Sequence, residues 1–155
     1  MFKFPISVVL GVVVCCGVLA MQSVSGQAAQ EATVQATNDR FAASVLQSIA
    51  GRENEPAEKV FRNLQVGTLK GVPAGRFVRI MNAGYSRALG VTCTHCHNTD
   101  DFAADVKRPK RAAREMAAMH TAINGQLAKM QNLESSADQR FINCSTCHRG
   151  AIKPN

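Results

Sequence analysis

Two short stretches of this chain carry the same arrangement of two cysteines followed directly by a histidine. Residues 93–97 read CTHCH, and residues 144–148 read CSTCH. This is the attachment sequence for c-type haem, because the two thiols add to the vinyl groups of the porphyrin and the adjacent imidazole binds the iron. The sequence therefore predicts two covalently bound haem c groups, and two such large apolar bodies constrain what 155 residues can fold into.

The two motifs predict which side chains hold the cofactors. The expected haem-binding residues are Cys93, Cys96, His97, Cys144, Cys147 and His148. The cysteines would form thioether bonds, and the two histidines would be the proximal ligands of the two irons. Cysteine pairs at this spacing also occur in disulfides and zinc sites, but neither use requires a histidine after both pairs. Haem is therefore the favoured interpretation.

The N-terminus has the three-part layout of a secretory signal peptide. Lys3 precedes an apolar run over residues 6–20, and small and polar residues follow at 22–27. We expect residues 1–26 to be a signal peptide that is cleaved after Gly26. The apolar run is short for a membrane span, although an uncleaved N-terminus would allow membrane association. Export would place the protein in the periplasm or another extracytoplasmic location.

The expected signal peptide and the two haem motifs together account for all six cysteines. Of the six cysteines, Cys15 and Cys16 lie in the apolar run, and the other four belong to the two haem motifs. Neither Cys15 nor Cys16 follows the small residue that a bacterial lipoprotein signal requires, so lipidation is the lesser alternative. No thiol then remains for a disulfide framework in an oxidising compartment.

The rest of the chain predicts a short linker and one domain. Residues 27–38 are mostly Ala, Gln, Glu and Thr, and they are expected to form a flexible linker. Residues 39–155 would form the dihaem cytochrome c domain. Its single tyrosine and lack of tryptophan leave few large apolar side chains, so two haems would supply much of the core.

Apolar residues in this domain recur at helical spacing, and no alternating strand pattern is present. Helices are expected over about 39–51, 74–89 and 107–130. Gly90 is placed to end the second of these in the left-handed conformation. The predicted fold class is all-α: a small multihaem cytochrome c, with helices and long loops wrapped around two covalently attached haems.

The side chain on the other face of each iron decides between functions. A ligand there favours electron transfer, whereas an open position allows oxygen chemistry or gas binding. Met81 lies 12 residues before Cys93, and the turn at Gly90 would allow the first haem to pack along the helix that carries it. For the second haem, spacing alone leaves four candidates open, namely Met116, Met119, His120 and Met130.

Over residues 60–149 the sequence resembles the cytochrome c subunit of photosynthetic reaction centres. The matching stretches are VFRNLQV at 60–66, LGVTCTHCHN at 89–98, AREMAAM at 113–119 and CSTCHRG at 144–150. The resemblance implies that Met81 is the sixth ligand of the first haem and that Met116 is that of the second. The best-known members of the family carry four haems in two such halves, whereas this chain carries one half.

These observations predict a dihaem c-type cytochrome that carries single electrons between redox partners, as a subunit of or donor to a membrane redox complex or reaction centre, and not an enzyme. The competing interpretation is a peroxidase-like haem enzyme or gas binder with one open iron position. Without Lys3 the chain has 17 basic and 11 acidic residues, a formal charge of +6, so an acidic partner is expected. Nucleic acid is not expected as a partner of an exported haem protein.

Overall fold

The computed structural model describes residues 7–136 and 139–154 of the chain, which places the basic start of the expected signal peptide, Lys3, outside the described residues. Within the described ranges the chain forms helices and no β-strand, and a single antiparallel bridge pairs Pro56 with Pro73. The all-α class is therefore confirmed. None of the helices described is both long enough and apolar enough to cross a membrane.

The longest helix, α1, runs over Ser7–Ser48. It includes residues 27–38, so this segment is helical rather than the flexible linker that we expected, and the helix start expected at Asp39 lies inside α1. Ala, Gln and Glu all have high helix propensity, which explains why the segment extends the helix. The chain divides into two compact units, Met1–Val34 and Gln35–Asn155. Cleavage after Gly26 stays a prediction.

Two very short helices, α2 (Ala57–Val60) and α3 (Gly67–Lys70), follow α1. Backbone hydrogen bonds tie the segment before α2 to the segment after α3: the Ala57 amide donates to Val72 O over 2.8 Å, and the Ala74 amide donates to Glu55 O over 2.8 Å. These bonds fix the point at which the next helix begins.

The helix expected over 74–89 is present, but its middle is wider than an α-helix. It consists of α4 (Ala74–Arg79), a π-helical turn (Ile80–Ser86) and α5 (Arg87–Leu89). Gly90 ends it with φ 65° and ψ 32°, which confirms the expected left-handed termination. A 3₁₀ turn, Cys93–His95, then opens the first haem motif.

The C-terminal part of the chain contains α6 (Arg108–Lys129) and α7 (Cys144–His148). Helix α6 corresponds to the helix expected over 107–130. Helix α7 is the second haem motif itself. Asn143 caps it, because the Asn143 side chain accepts from the Thr146 amide and Thr146 Oγ1 accepts from the Asn143 amide, both over 3.1 Å.

The core formed by protein atoms alone is thin. Among the described side chains, the buried apolar residues are Ile49, Ala57, Ala74, Val78 and Ala88. Alanine contributes little apolar area on burial, so these residues supply only a small part of the stabilisation that a domain of this size needs. The larger apolar side chains of α1 and α4 line a cavity instead.

Candidate haem-binding sites

One mostly apolar cavity of about 420 Å³ gathers the residues expected to hold the first haem. Met81, Cys93, Cys96 and His97 all line it. Its apolar walls include Phe41, Val45, Phe61, Leu64, Phe77 and Leu89. Cofactor pockets typically have volumes of about 300–1,000 Å³ and mostly apolar linings. Two thiols, an imidazole and a thioether around an apolar space therefore fit a covalently attached haem.

The imidazole of His97 is already oriented for binding a metal. Its Nδ1 donates to Phe102 O over 2.9 Å, and the two rings lie 5.2 Å apart at an interplanar angle of 36°. Because a carbonyl oxygen only accepts, Nδ1 carries the proton and Nε2 keeps its lone pair for iron. Burial lowers the pKa of His97, with the Phe102 carbonyl acting in the opposite direction, so the ring is kept in the neutral form that binds metals.

The thiols of the first motif are half-buried. Burial raises the pKa of both Cys93 and Cys96, and the nearby Lys107 ammonium partly offsets this at Cys96. Cys93, Cys96, Cys144 and Cys147 form no disulfide. In the parts of the chain that the structure describes, no three His, Cys, Asp or Glu side chains are grouped to hold a metal ion.

An asparagine on α1 holds the start of the first motif. Asn38 is 1% exposed, and its side chain pairs with the backbone on both sides of Thr92. Its Nδ2 donates to Val91 O over 2.9 Å, and its Oδ1 accepts from the Cys93 amide over 2.8 Å. This pairing fixes the backbone at the first cysteine. The sequence does not predict it, because composition alone places residue 38 in a linker.

The second motif has its own oriented histidine. Cys144, Cys147 and His148 lie on α7, and His148 Nδ1 donates to Ala151 O over 3.0 Å. As at His97, a backbone carbonyl a few residues downstream accepts the hydrogen bond from Nδ1, so Nε2 keeps its lone pair for iron.

An asparagine on α6 holds the approach to the second motif, as Asn38 does for the first. Asn124 Nδ2 donates to Ile142 O over 3.1 Å, and its Oδ1 accepts from the Ile142 amide over 2.8 Å. His120 Nε2 lies 2.8 Å from the same carbonyl oxygen. One of the four candidates for the sixth ligand therefore has its Nε2 engaged in fixing the chain before Asn143.

Met116 lies one helical turn before His120 on the same face of α6 and is 40% exposed. Among the side chains that the structure describes, the exposed large apolar residues all fall after residue 105. They are Val106, Met116, Met119, Ile123, Met130, Leu133, Phe141 and Ile152. They occur in the part of the chain that carries the second motif, between residues 106 and 152.

The two motifs adjoin each other at a pair of glycines. The Gly150 amide donates to Ala88 O over 2.8 Å, and a Cβ on Gly90 would collide with the carbonyl oxygen of Gly150. Tyr85 lines the first cavity, and its pKa is raised by burial and further by the nearby Cys144. The single tyrosine of the chain therefore lies at the first site and close to the second.

Comparison with known proteins agrees with this geometry. The family model described as "Photosynthetic reaction centre cytochrome C subunit" matches residues 15–155. The photosynthetic reaction center cytochrome c subunit of Rubrivivax gelatinosus is 40% identical over 79 residues, which is 45% of this chain and 22% of that protein. Cytochrome c-554 of Chloroflexus aurantiacus is 33% identical over 90 residues, which is 57% of this chain and 20% of that protein.

The chain thus spans about a fifth of the length of each of these relatives. The family and both relatives are cytochromes c, which implies that haem c is bound covalently. The family model covers nearly all of the chain, including both motifs and the two methionines that the resemblance implies as ligands, Met81 and Met116. This chain belongs to the photosynthetic reaction centre cytochrome C subunit family.

Proposed function

We propose that this protein is a dihaem cytochrome c that carries single electrons between redox partners outside the cytoplasm. The first cavity gives the strongest support, because a single apolar space brings together two thiols, an oriented imidazole and a thioether. When bound there, haem supplies a reversible one-electron change at its iron. Binding of the iron by both Met81 and His97 would raise the reduction potential of the haem and leave no open position for oxygen chemistry.

Each residue has a defined role in the proposal. Cys93 and Cys96 attach the first haem, while His97 and Met81 bind its iron. The second haem is attached and bound by Cys144, Cys147, His148 and Met116. Met116 is the ligand that the family resemblance implies, and the engagement of His120 Nε2 by Ile142 O favours Met116 over His120.

The partner that we propose is a redox protein or a membrane electron-transfer complex. The family is named for a reaction centre subunit, and the relative from Rubrivivax gelatinosus carries the same name. Residues 1–26 would direct export, and if they are not cleaved they would attach the protein to the membrane surface. The formal charge of +6 after Lys3 is removed favours an acidic docking surface on the partner.

The test of haem attachment uses the exported protein, made in a host that attaches haem c. We expect a coloured product whose pigment resists extraction by acidified organic solvent and whose mass exceeds that of the polypeptide by two haems. The variants Cys93→Ser/Cys96→Ser and Cys144→Ser/Cys147→Ser should each lose one haem and keep the other. A colourless product, or a pigment that the solvent removes, contradicts the proposal.

Carbon monoxide separates electron transfer from the peroxidase-like or gas-binding alternative. The reduced wild-type protein should bind none, because a side chain occupies the sixth position of both irons. Rapid stoichiometric binding at either haem, seen as a shift of the absorption spectrum, would support an enzyme or gas binder instead.

A further inference from the structure

Lys110 is a buried cation on α6 that holds the loop after the first haem motif. It is 9% exposed, and its Nζ donates to three successive carbonyls: Phe102 O over 2.9 Å, Ala103 O over 2.8 Å and Ala104 O over 2.9 Å. Burying an ammonium group is costly unless its donors are satisfied, and here all three protons have acceptors. The loop and the cation therefore stabilise each other.

One of these acceptors is shared with the proximal ligand of the first iron. Phe102 O accepts from His97 Nδ1 over 2.9 Å and from Lys110 Nζ over 2.9 Å. The acceptor on the second nitrogen of a metal-binding histidine controls how basic the ring is toward the metal. An ammonium on the same oxygen draws electron density from it, so the oxygen becomes a weaker acceptor for His97.

Lys110 belongs to an ion network with Asp105 and Arg114 that carries a net positive charge. Asp105 lies 3.3 Å from Lys110 Nζ and receives two hydrogen bonds of 2.8 Å from Arg114. The Arg114 guanidinium, with help from Asn63, holds the pKa of Asp105 well below its usual range, so the carboxylate stays ionised. Two cations against one anion leave a formal charge of +1. Lys110 and Arg114 both line the cavity, as do Arg62, Asp100 and Asp101. The Lys110 and Arg114 side chains are mostly buried, so water screens their charges less than those of exposed groups.

We propose that Lys110 is a positioning residue for His97 that also raises the reduction potential of the first haem. This inference rests on the proposed function, since it requires haem at Cys93 and Cys96. Oxidised iron carries one more positive charge than reduced iron, so a buried cation nearby disfavours the oxidised form. A weaker acceptor at Phe102 makes His97 a less basic ligand, which disfavours the oxidised form as well.

The direct test is a redox titration of the haem-bearing protein with Lys110→Met, followed by absorption spectra. The potential of the first haem should fall by an amount equal to about a tenfold change in its reduction equilibrium, or about 59 mV for one electron. Arg108→Gln is the matched control, because it removes the same charge from an exposed position in the first turn of α6. Its potentials should stay at the wild-type values.

Two further variants separate charge from folding. Asp105→Asn keeps Lys110 and changes the local charge to +2, so it should raise the potential of the first haem. Lys110→Arg keeps the charge and should leave the potential nearer to the wild-type value than Lys110→Met does. If Lys110→Met does not assemble, the sign of the Asp105→Asn shift decides the question.

A Lys110→Met shift no larger than that of Arg108→Gln, or a lowered potential in Asp105→Asn, overturns the inference while leaving the proposed function intact. Failure of the proposed function itself would give a different result. If the wild-type protein carries no covalent haem at Cys93 and Cys96, then the proposed function fails before any potential is compared.

Discussion

The two histidines that we propose as iron ligands, His97 and His148, are oriented by hydrogen bonds to nearby backbone. The acceptor of the His97 Nδ1 proton is five residues downstream, and that of His148 is three residues downstream. Each histidine is therefore paired with a carbonyl from the few residues that follow its motif, and this carbonyl selects its tautomer. The proposed sixth ligands, Met81 and Met116, lie on other helices and depend on longer-range packing.

Replacing Met81 with Ala should leave the sixth coordination position of the first iron open. The smaller side chain cannot reach the metal, so the reduced variant should bind one equivalent of carbon monoxide, measured by absorption titration, where the wild type binds none. Met119→Ala, which changes a methionine on exposed α6 surface, is the control. Carbon monoxide binding by the control but not by Met81→Ala would remove Met81 from the ligand set.

Asn38→Ala should destabilise the protein and loosen the first motif. It leaves Val91 O and the Cys93 amide without their partner in a buried place, at a cost of about 2 kcal/mol. Urea unfolding of the haem-bearing protein measures this loss. Asn132→Ala, at an exposed position, should change the free energy of unfolding by less than about 0.5 kcal/mol. Equal stabilities of the two variants would show that the Asn38 pairing contributes nothing.

For single residues, the sequence predicts those that the haem-attachment reaction requires at a fixed spacing. It does not predict residues whose role arises from contacts that form only in the folded chain. Cys93, Cys96 and His97 are recognisable because the reaction requires them in that order. Asn38 and Lys110 are ordinary polar residues in the sequence. They act on backbone groups that packing brings to them, in the case of Asn38 from 53 and 55 residues away.

Among the elements, the π-helical turn at Ile80–Ser86 bears most directly on the proposed function, because it carries Met81, the proposed sixth ligand of the first haem. A wider turn weakens the regular hydrogen-bond ladder, and such turns are frequent at functional sites. The buried Ser86 hydroxyl lies within 3.0 Å of Met81 O and 2.7 Å of Asn82 O. It thereby supports the backbone of the proposed ligand itself.

Ser86→Ala should therefore affect both stability and ligation. Loss of the hydroxyl should cost about 1 kcal/mol in free energy of unfolding. The sulfur-to-iron charge-transfer band of the oxidised protein should also weaken, because Met81 is held less firmly. Thr121→Val is the control, since Thr121 Oγ1 also donates to a backbone carbonyl of its own helix, that of Ala117, but lies on the exposed surface of α6. A charge-transfer band unchanged in Ser86→Ala would show that the turn does not position Met81.

The sequence predicts the end of a helix correctly where a specific residue terminates it. It does not predict the boundary where only the average composition of a segment is available. Gly90 is recognisable as a helix end because it can adopt positive φ, and it does so. Residues 27–38 resemble a linker because they lack large apolar side chains. Their helix-forming composition and the continuation into the packed part of α1 outweigh that lack. The π-helical turn has no signature in the sequence pattern.

At the scale of the whole molecule, the contact between Gly90 and Gly150 joins the two motifs. Gly90→Ala should destabilise the protein by more than about 2 kcal/mol, because alanine is strained at φ 65° and its Cβ would meet the carbonyl oxygen of Gly150. Thermal unfolding of the haem-bearing protein measures the loss.

Gly125→Ala is the matched control for this prediction. Gly125 lies inside α6, and a Cβ added there would meet nothing within 4 Å, so alanine should stabilise the helix by about 0.5–1 kcal/mol. The two substitutions are chemically identical and should act in opposite directions. A Gly90→Ala variant as stable as the wild type would show that the two motifs do not depend on this contact.

The junction at Gly90 and Gly150 has a consequence for how electrons are stored. Gly150 is two residues after His148, and Gly90 is three residues before Cys93, so the proposed haems are attached to adjoining backbone. An electron on one iron then repels an electron arriving at the other. In a redox titration the protein should therefore take up its two electrons in two macroscopic steps. The two potentials would belong to the pair of haems rather than to either iron, and the difference between them would include this repulsion.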